Sequence, residues 1–215
     1  MLGDSILLLS LTLVSGIFGN RLTYLAAYLP PQSPTYDNIK TLKRTPFFSD
    51  YLENDSFYDN VKYADIFELP HGLKGFFDFD EGMSYAKEVN KPVLLDFTGH
   101  GCVNCRDIEA RVWPDQRVRD ILNNDYVLIS LYVDDKTVLS EKNWYVSSYD
   151  GKVKKSIGRQ NSDFQISRFQ NNAQPYYIVI NPFSDQIISP PWGYELNIEK
   201  YIDNLKKGID AFYEN

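Results

Sequence analysis

Cysteine is scarce in this chain: its 215 residues include two, Cys102 and Cys105. Two cysteines so close together cannot link distant parts of a fold, so a protein held together by a disulfide framework is excluded. A close pair leaves two other uses, metal binding and thiol redox chemistry. The pair alone does not decide between them.

Basic residues are too few and too scattered to form a nucleic-acid-binding surface. The chain has 22 Lys and Arg against 29 Asp and Glu, which gives a formal net charge of -7 and a pI of about 4.9. No nucleic-acid partner is therefore expected, and the acidic balance mainly favours solubility. Hydrophobic residues make up 43% of the chain, enough for the core of one folded domain.

The longest apolar run, from Ile6 to Phe18, is shorter than the ~20 residues that cross a bilayer. A signal peptide would carry basic residues ahead of this run, but Asp4 stands there. The segment also has too small a polar face for a surface helix. We therefore interpret residues 1–29 as the end of a membrane helix or a signal anchor, in preference to a cleaved signal peptide.

Residues 30–71 are polar yet rich in aromatic side chains. Prolines between Leu29 and Pro34 cannot continue a helix, so a linker begins there. A disordered tether would contain few aromatic residues. Two interpretations remain open: the segment packs on the domain that follows, or it offers a docking surface to a partner.

The two cysteines lie where a predicted strand meets a predicted helix. Residues 93–98 are apolar except for Asp96, and apolar residues at helical spacing follow Cys102. A cysteine in the first turn of a helix lies near the positive end of the helix dipole, which favours its thiolate. Cys102 is therefore the candidate nucleophile, and Cys105 the candidate for resolving the mixed disulfide.

Strands and helices are predicted to alternate around this junction. A short strand at 76–79 precedes a helix capped by Asp80, and a helix capped by Asp115 precedes a strand at 126–133. The right-handed crossover rule makes the successive strands parallel neighbours of the strand at 93–98.

The second half of the chain begins with a long excursion, 134–169, in which we predict a small hairpin and a short helix near 164–170. An ordered insertion of this length usually carries function or covers an edge. A buried strand at 176–180, an antiparallel strand at 186–188 and a terminal helix with an apolar stripe from Ile198 to Phe212 complete the prediction.

These features together resemble the thioredoxin superfamily. The features that carry the resemblance are Asp96 six residues before the first cysteine, the Cys102 and Cys105 pair at a strand-to-helix junction, Gln174-Pro175 ahead of a strand, and the closing strand-strand-helix. Within the superfamily, 73–213 is similar to the C-terminal periplasmic domain of DsbD-type thiol:disulfide interchange proteins, in the version found in Bacteroidetes.

The resemblance implies an α/β thioredoxin fold, a central mixed sheet flanked by helices, over residues 72–215. The chain departs from the thioredoxin pattern at Gly101, where Trp is usual, and at Val103-Asn104, where Gly-Pro is usual. The first change thins the apolar surface beside the thiol. The second leaves the redox potential open.

Asp96 is flanked by Leu95 and Phe97, which favours burial. Burial raises the pKa of a carboxyl group, so Asp96 is the candidate proton acceptor for Cys105. An acid exposed at a sheet edge is the alternative. Arg106, next in the chain, is predicted to be a solvated helix position.

The resemblance implies a cis peptide bond before Pro175. Facing the cysteines, this proline would expose the backbone of Gln174 for pairing with an extended substrate segment. A trans proline at the start of a strand is the alternative. Gly101 and His100 are further candidates for substrate contact, and an ordinary loop histidine is the alternative for His100.

Metal binding is a further alternative, since His100, Cys102 and Cys105 supply three ligands where a structural zinc site takes four. Haem attachment would need histidine directly after Cys105, and Arg106 is there.

The function that the resemblance implies is disulfide reduction in the periplasm, by a domain tethered to the inner membrane. Electrons would come from a transmembrane electron-transfer domain and pass to disulfides of extracytoplasmic proteins, including those that serve cytochrome c maturation. No organic cofactor is expected. Two alternatives stay open: a disulfide oxidase or isomerase on the same fold, and a non-catalytic interaction module.

Overall fold

A computed structural model describes residues 60–214 of the chain. In chain order the elements are α1 (Phe79–Val89), β1 (Val93–Thr98), α2 (Val103–Arg111), α3 (Gln116–Asn124), β2 (Val127–Tyr132), β3 (Tyr145–Val146), β4 (Val153–Lys154), α4 (Ile157–Phe169), β5 (Tyr176–Asn181), β6 (Gln186–Ile187) and α5 (Ile198–Tyr213). Short 3-10 helices cover Pro70–Gly72 and Glu141–Asn143.

A mixed four-stranded sheet in the order β2-β1-β5-β6 forms the centre of the domain. Strand β1 is parallel to β2 and antiparallel to β5, and β6 is antiparallel to β5. Every residue of β1 and β2 is buried, because helices cover both faces of the sheet. The predicted α/β fold with a central mixed sheet flanked by helices is confirmed.

The helices form two layers. Phe79 of α1 contacts Phe164 of α4 with ring centroids 4.8 Å apart, which places these helices on one face. On the other, α3 packs against α5, and Trp113 after α2 donates a hydrogen bond from its indole to Tyr201 of α5 at 3.0 Å. The sheet core is therefore closed from both sides.

The start of α1 differs from the prediction. Asp78 and not Asp80 is the N-cap: its carboxylate accepts a hydrogen bond from the backbone N–H of Glu81, and the helix begins at Phe79. The strand predicted at 76–79 is reduced to one parallel bridge between Phe76 and Ile129, because the chain turns at Asp78 into α1. Ile129 belongs to β2, so this segment lies beside β2 and not beside β1 as predicted.

The excursion contains the predicted hairpin, in which β3 and β4 pair antiparallel. The helix in this segment is longer than the one predicted at 164–170. It is α4, which begins at Ile157 after its N-cap Ser156. Its buried positions include Gly158, Asp163 and Gln165. These small and polar residues interrupt the apolar period on the buried side, so the sequence pattern does not show where the helix begins.

Residues 60–71 lie against the domain, with Phe67 and Leu69 in its core. The predicted membrane segment 1–29 and most of the aromatic stretch 30–71 fall outside the described residues. Within 60–214, the helices are too short or too polar to cross a membrane.

Candidate active site

Three loops meet at one edge of the central sheet. Strand β1 ends at Thr98 beside the last residue of β2, Tyr132, and β5 begins at Tyr176 beside Phe97. The loop after β1, the loop after β2 and the loop before β5 therefore leave the sheet side by side. They bring the cysteines, the start of the insertion and Pro175 to the same edge.

Cys102 and Cys105 form a disulfide, with sulfurs 2.06 Å and Cα atoms 5.2 Å apart. Cys102 is the N-cap of α2, and its sulfur accepts a hydrogen bond from the backbone N–H of Cys105 at 3.1 Å. Cys102 is partly exposed, whereas Cys105 is 2% exposed. In the reduced state, the accessible sulfur would thus be the one that helix N–H groups stabilise as a thiolate.

Asp96 lies in the middle of β1, across from Ser130 on one side and Tyr177 on the other. It is 2% exposed and accepts a hydrogen bond from the Ser130 hydroxyl through Oδ2 at 2.9 Å. Its other oxygen has no hydrogen-bond partner among residues 60–214. Burial raises the pKa of Asp96 to about 7, against the opposing effects of the Ser130 hydrogen bond and the Arg106 charge. Such a group can take up and release a proton near neutral pH.

Arg106 is buried, so the predicted solvated helix position is wrong. Its guanidinium donates to the Thr98 hydroxyl at 3.1 Å and lies 2.5 Å from a carboxylate oxygen of Glu109. Arg106 is 8% and Glu109 6% exposed. Burial raises the pKa of Glu109, and the charge of Arg106 opposes that rise. The sequence does not reveal this buried pair, because an Arg and a Glu three positions apart usually lie on a solvated helix face.

Asp134 holds the loop between β1 and the cysteines. Its two carboxylate oxygens accept the backbone N–H groups of His100 and Gly101, each at 2.8 Å. A Cβ atom added to Gly99 would come within 3.0 Å of the same carboxylate. Asp134 lies two residues after the end of β2, at this edge of the sheet, and the sequence pattern does not show that its carboxylate binds the cysteine loop.

His100 turns toward the insertion. Its Nε2 lies 3.1 Å from a carboxylate oxygen of Asp135, and its ring centroid lies 4.7 Å from that of Tyr132. Gly101, the next residue, is exposed. Both residues directly precede Cys102 on the chain, and His100 links the cysteine loop to the start of the insertion.

The peptide bond between Gln174 and Pro175 is cis, as the resemblance implied. Pro175 is buried and Gln174 is partly exposed. Tyr177, the second residue of β5, is 1% exposed. Its ring packs against that of Trp192, with ring centroids 5.4 Å apart. Tyr177 is therefore a core residue.

Within the described range, no group of three or more His, Cys, Asp or Glu side chains is arranged to hold a metal ion.

Comparison with known proteins identifies the domain. Residues 76–182 match the family model described as thioredoxin-like. A curated relative, the thiol:disulfide interchange protein DsbD of Ralstonia nicotianae, is 35% identical over an alignment of 72 residues. The alignment covers 31% of this chain and 12% of the relative. The matched region is thus a small part of that protein's length.

Solved structures also match part of the chain. The DsbH oxidoreductase has 14% sequence identity, covers 64% of this chain and 85% of its own, and gives a TM-score of 0.49. A thioredoxin from Thermus thermophilus has 14% identity, coverages of 62% and 85%, and a TM-score of 0.45. Taken together, the family match, the mixed sheet and the cysteine pair at the start of α2 show that the chain contains a thioredoxin-like domain of the thiol-disulfide oxidoreductase type.

Proposed function

We propose that this domain is a protein-disulfide reductase that acts outside the cytoplasm, in the manner of the C-terminal domain of DsbD. The observation that carries the proposal is the asymmetry of the cysteine pair. Cys102 is accessible at a helix N-terminus and Cys105 is buried behind it, as expected for an attacking and a resolving thiol.

The reaction starts from the reduced dithiol. The Cys102 thiolate attacks one sulfur of a substrate disulfide, that disulfide breaks, and one substrate thiolate leaves. Asp96 accepts the proton of Cys105, because a carboxyl group with a pKa near 7 can serve as a base at neutral pH. The Cys105 thiolate then attacks Cys102 and releases the second substrate thiolate. Two electrons have passed to the substrate, and the Cys102–Cys105 disulfide of this structure is formed.

The substrate would lie along the edge where the three loops meet. The backbone of Gln174, next to the cis proline, would pair with an extended segment of the substrate protein. Gly101 and His100 would contact the substrate on the other side of Cys102.

The electron donor would be a transmembrane electron-transfer domain. Support for this comes from the match to a DsbD protein and from the apolar segment at 1–29. We therefore propose that the domain lies in the periplasm, attached to the inner membrane. Its partners would be extracytoplasmic proteins that contain disulfides. The cysteine pair would be its redox centre, without an organic cofactor.

The test is an equilibrium redox titration of the Cys102–Cys105 pair against a thiol buffer. A potential near that of thioredoxin, about -270 mV, would support the reductase assignment, because electrons would flow downhill to disulfides of less negative potential. A potential near that of DsbA, about -120 mV, would instead make the domain an oxidase, since electrons would not flow downhill to most substrates. Insulin reduction provides the activity control: it is expected to disappear in Cys102→Ser, and its survival there would favour the non-catalytic module.

A further inference from the structure

One side chain of α4 holds the loop that precedes the cis proline. Gln165 is 0% exposed. Its Nε2 donates a hydrogen bond to the carbonyl of Ala173 at 2.8 Å, and its Oε1 accepts one from the Gln174 side chain at 3.0 Å. The Gln174 side chain also donates to the carbonyl of Asn172 at 2.7 Å. A single helix residue is thus bonded to two consecutive residues of this loop.

A fully buried amide is unfavourable unless its donor and acceptor are both used, because each unpaired polar group costs about 1–3 kcal/mol. Both functions of Gln165 are used by the loop. An apolar side chain of similar volume would fill the same space without this requirement. The amide is therefore suited to fix the loop, and filling the core does not need it.

The hydrogen bonds also determine what Gln174 presents. Its side chain is engaged with Gln165 and with the carbonyl of Asn172, and the carbonyl of Ala173 is occupied by Gln165. The backbone of Gln174 follows directly and leads into the cis proline. The Gln174 side chain is therefore held away from the backbone surface that the substrate would use.

We propose that Gln165 is a positioning residue for substrate binding. By holding 172–174, it presents the backbone of Gln174, and not its side chain, to an extended segment of the substrate protein. This inference rests on the proposed disulfide reductase function. It adds a requirement that lies in α4, apart from the cysteines in α2 and the acid in β1.

The separation of these elements defines the test. The fully reduced domain is mixed in single turnover with insulin, which has a peptide backbone to pair, and with 5,5′-dithiobis(2-nitrobenzoate), a small disulfide that has none. Gln165→Met removes both hydrogen bonds at similar volume. We expect its rate with insulin to fall about tenfold, equivalent to the loss of one or two hydrogen bonds, while its rate with the small disulfide stays within about twofold.

Gln160→Met is the matched control on the same helix. Gln160 also donates two hydrogen bonds, at 2.7 Å to the carbonyl of Asn143 and at 3.1 Å to that of Lys154, but these hold the hairpin and not the proline loop. Both of its rates are expected to equal those of the wild type.

Gln174→Ala keeps the inference falsifiable if Gln165→Met does not fold. It removes one of the two bonds to Gln165, so a smaller loss with insulin alone is expected. Where both variants fold, the double variant is expected to lose less than the two single losses combined. An unchanged insulin rate in Gln165→Met, or an equal fall with both disulfides, would overturn the positioning role. A wild-type domain that reduces neither disulfide would overturn the proposed function itself, and the inference with it.

Discussion

Arg106 and Glu109 form an ion pair inside the domain, with a guanidinium nitrogen 2.5 Å from a carboxylate oxygen and both residues less than a tenth exposed. The pair lies on the buried side of the helix that carries the cysteines, and the charge of Arg106 also acts on Asp96. Three ionisable side chains, Asp96, Arg106 and Glu109, are therefore buried and interact with one another inside the domain. Buried charges interact strongly and depend on one another for their stability.

Arg106→Met is expected to lower the free energy of unfolding by about 1–3 kcal/mol, because Glu109, whose pKa burial already raises, would stay protonated and buried without its hydrogen-bond partner. Urea unfolding at pH 7 measures this. The matched control is Arg111→Met: Arg111 pairs with Asp107 on the exposed surface, and losing an exposed pair costs less than about 1 kcal/mol. The double variant Arg106→Met with Glu109→Leu is expected to regain much of the loss. If Arg106→Met and Arg111→Met lowered the free energy of unfolding equally, the assignment of a buried pair would be contradicted.

Asp96 is expected to make the stability of the oxidised domain depend on pH. Because burial raises its pKa from 3.8 to about 7, the folded protein keeps a proton that the unfolded chain releases between these pH values. The contribution of Asp96 to the free energy of unfolding is therefore fully present below about pH 4 and is lost as the pH rises to about 7.

Asp96→Asn removes this dependence. At pH 8 the variant is expected to be more stable than the wild type by up to about 4 kcal/mol, and near pH 4 the two are expected to converge. Urea unfolding across this range measures the difference. Asp120→Asn, at an exposed position of α3, serves as the control and is expected to stay within about 0.5 kcal/mol at every pH. A wild-type advantage at pH 8 would show that Asp96 is not destabilised by burial.

Alkylation of the reduced domain is expected to modify Cys102 well before Cys105. Cys102 is accessible and its thiolate would be stabilised by helix N–H groups, whereas Cys105 is buried. Mass spectrometry after short exposure to iodoacetamide identifies the modified residue. Cys105→Ser is expected to keep the fast reaction and Cys102→Ser to lose it. Faster labelling of Cys105 would reverse the assigned roles.

Asp134→Ala is expected to release the loop before Cys102. The two N–H groups that the carboxylate holds would lose charge-assisted hydrogen bonds, with a loss of about 2–3 kcal/mol in the free energy of unfolding. Hydrogen exchange at the amides of His100 and Gly101 should speed up. Asp134→Asn, which has one acceptor oxygen, is expected to be intermediate. Unchanged exchange at both amides in the alanine variant would refute the role of Asp134.

Gly158→Ala is expected to destabilise the domain by about 1–3 kcal/mol. Its added Cβ would lie 2.4 Å from the backbone nitrogen and 2.5 Å from the backbone oxygen of Asp135, so the helix and the start of the insertion would have to separate. Thermal unfolding measures this, with the exposed neighbour Arg159→Ala as control. A variant as stable as the wild type would show that the two backbones separate without cost.

Much of the fold could be predicted from the sequence because its patterns are local. The apolar run at 93–98 corresponds to β1 in full, and the predicted cap Asp115 starts α3. The terminal stripe from Ile198 to Phe212 lies in α5. Periodicity failed at α4, because that helix buries Asp163 and Gln165. A polar residue enters a core only where partners distant in the chain bond to it, and local patterns do not contain those partners.

The sequence by itself determined which residues can take part in redox chemistry and in which elements they lie: two cysteines at the start of a helix, an acid in an apolar strand, and a proline ahead of another strand. Tertiary structure alone decided which cysteine is accessible, that Arg106 lies inside with Glu109, and that Gln165 holds the proline loop. The physical reason is that burial, and with it every shift of charge and pKa, arises from segments that meet across the sheet. These contacts depend on the packing of the whole domain, which the local spacing of residues does not show.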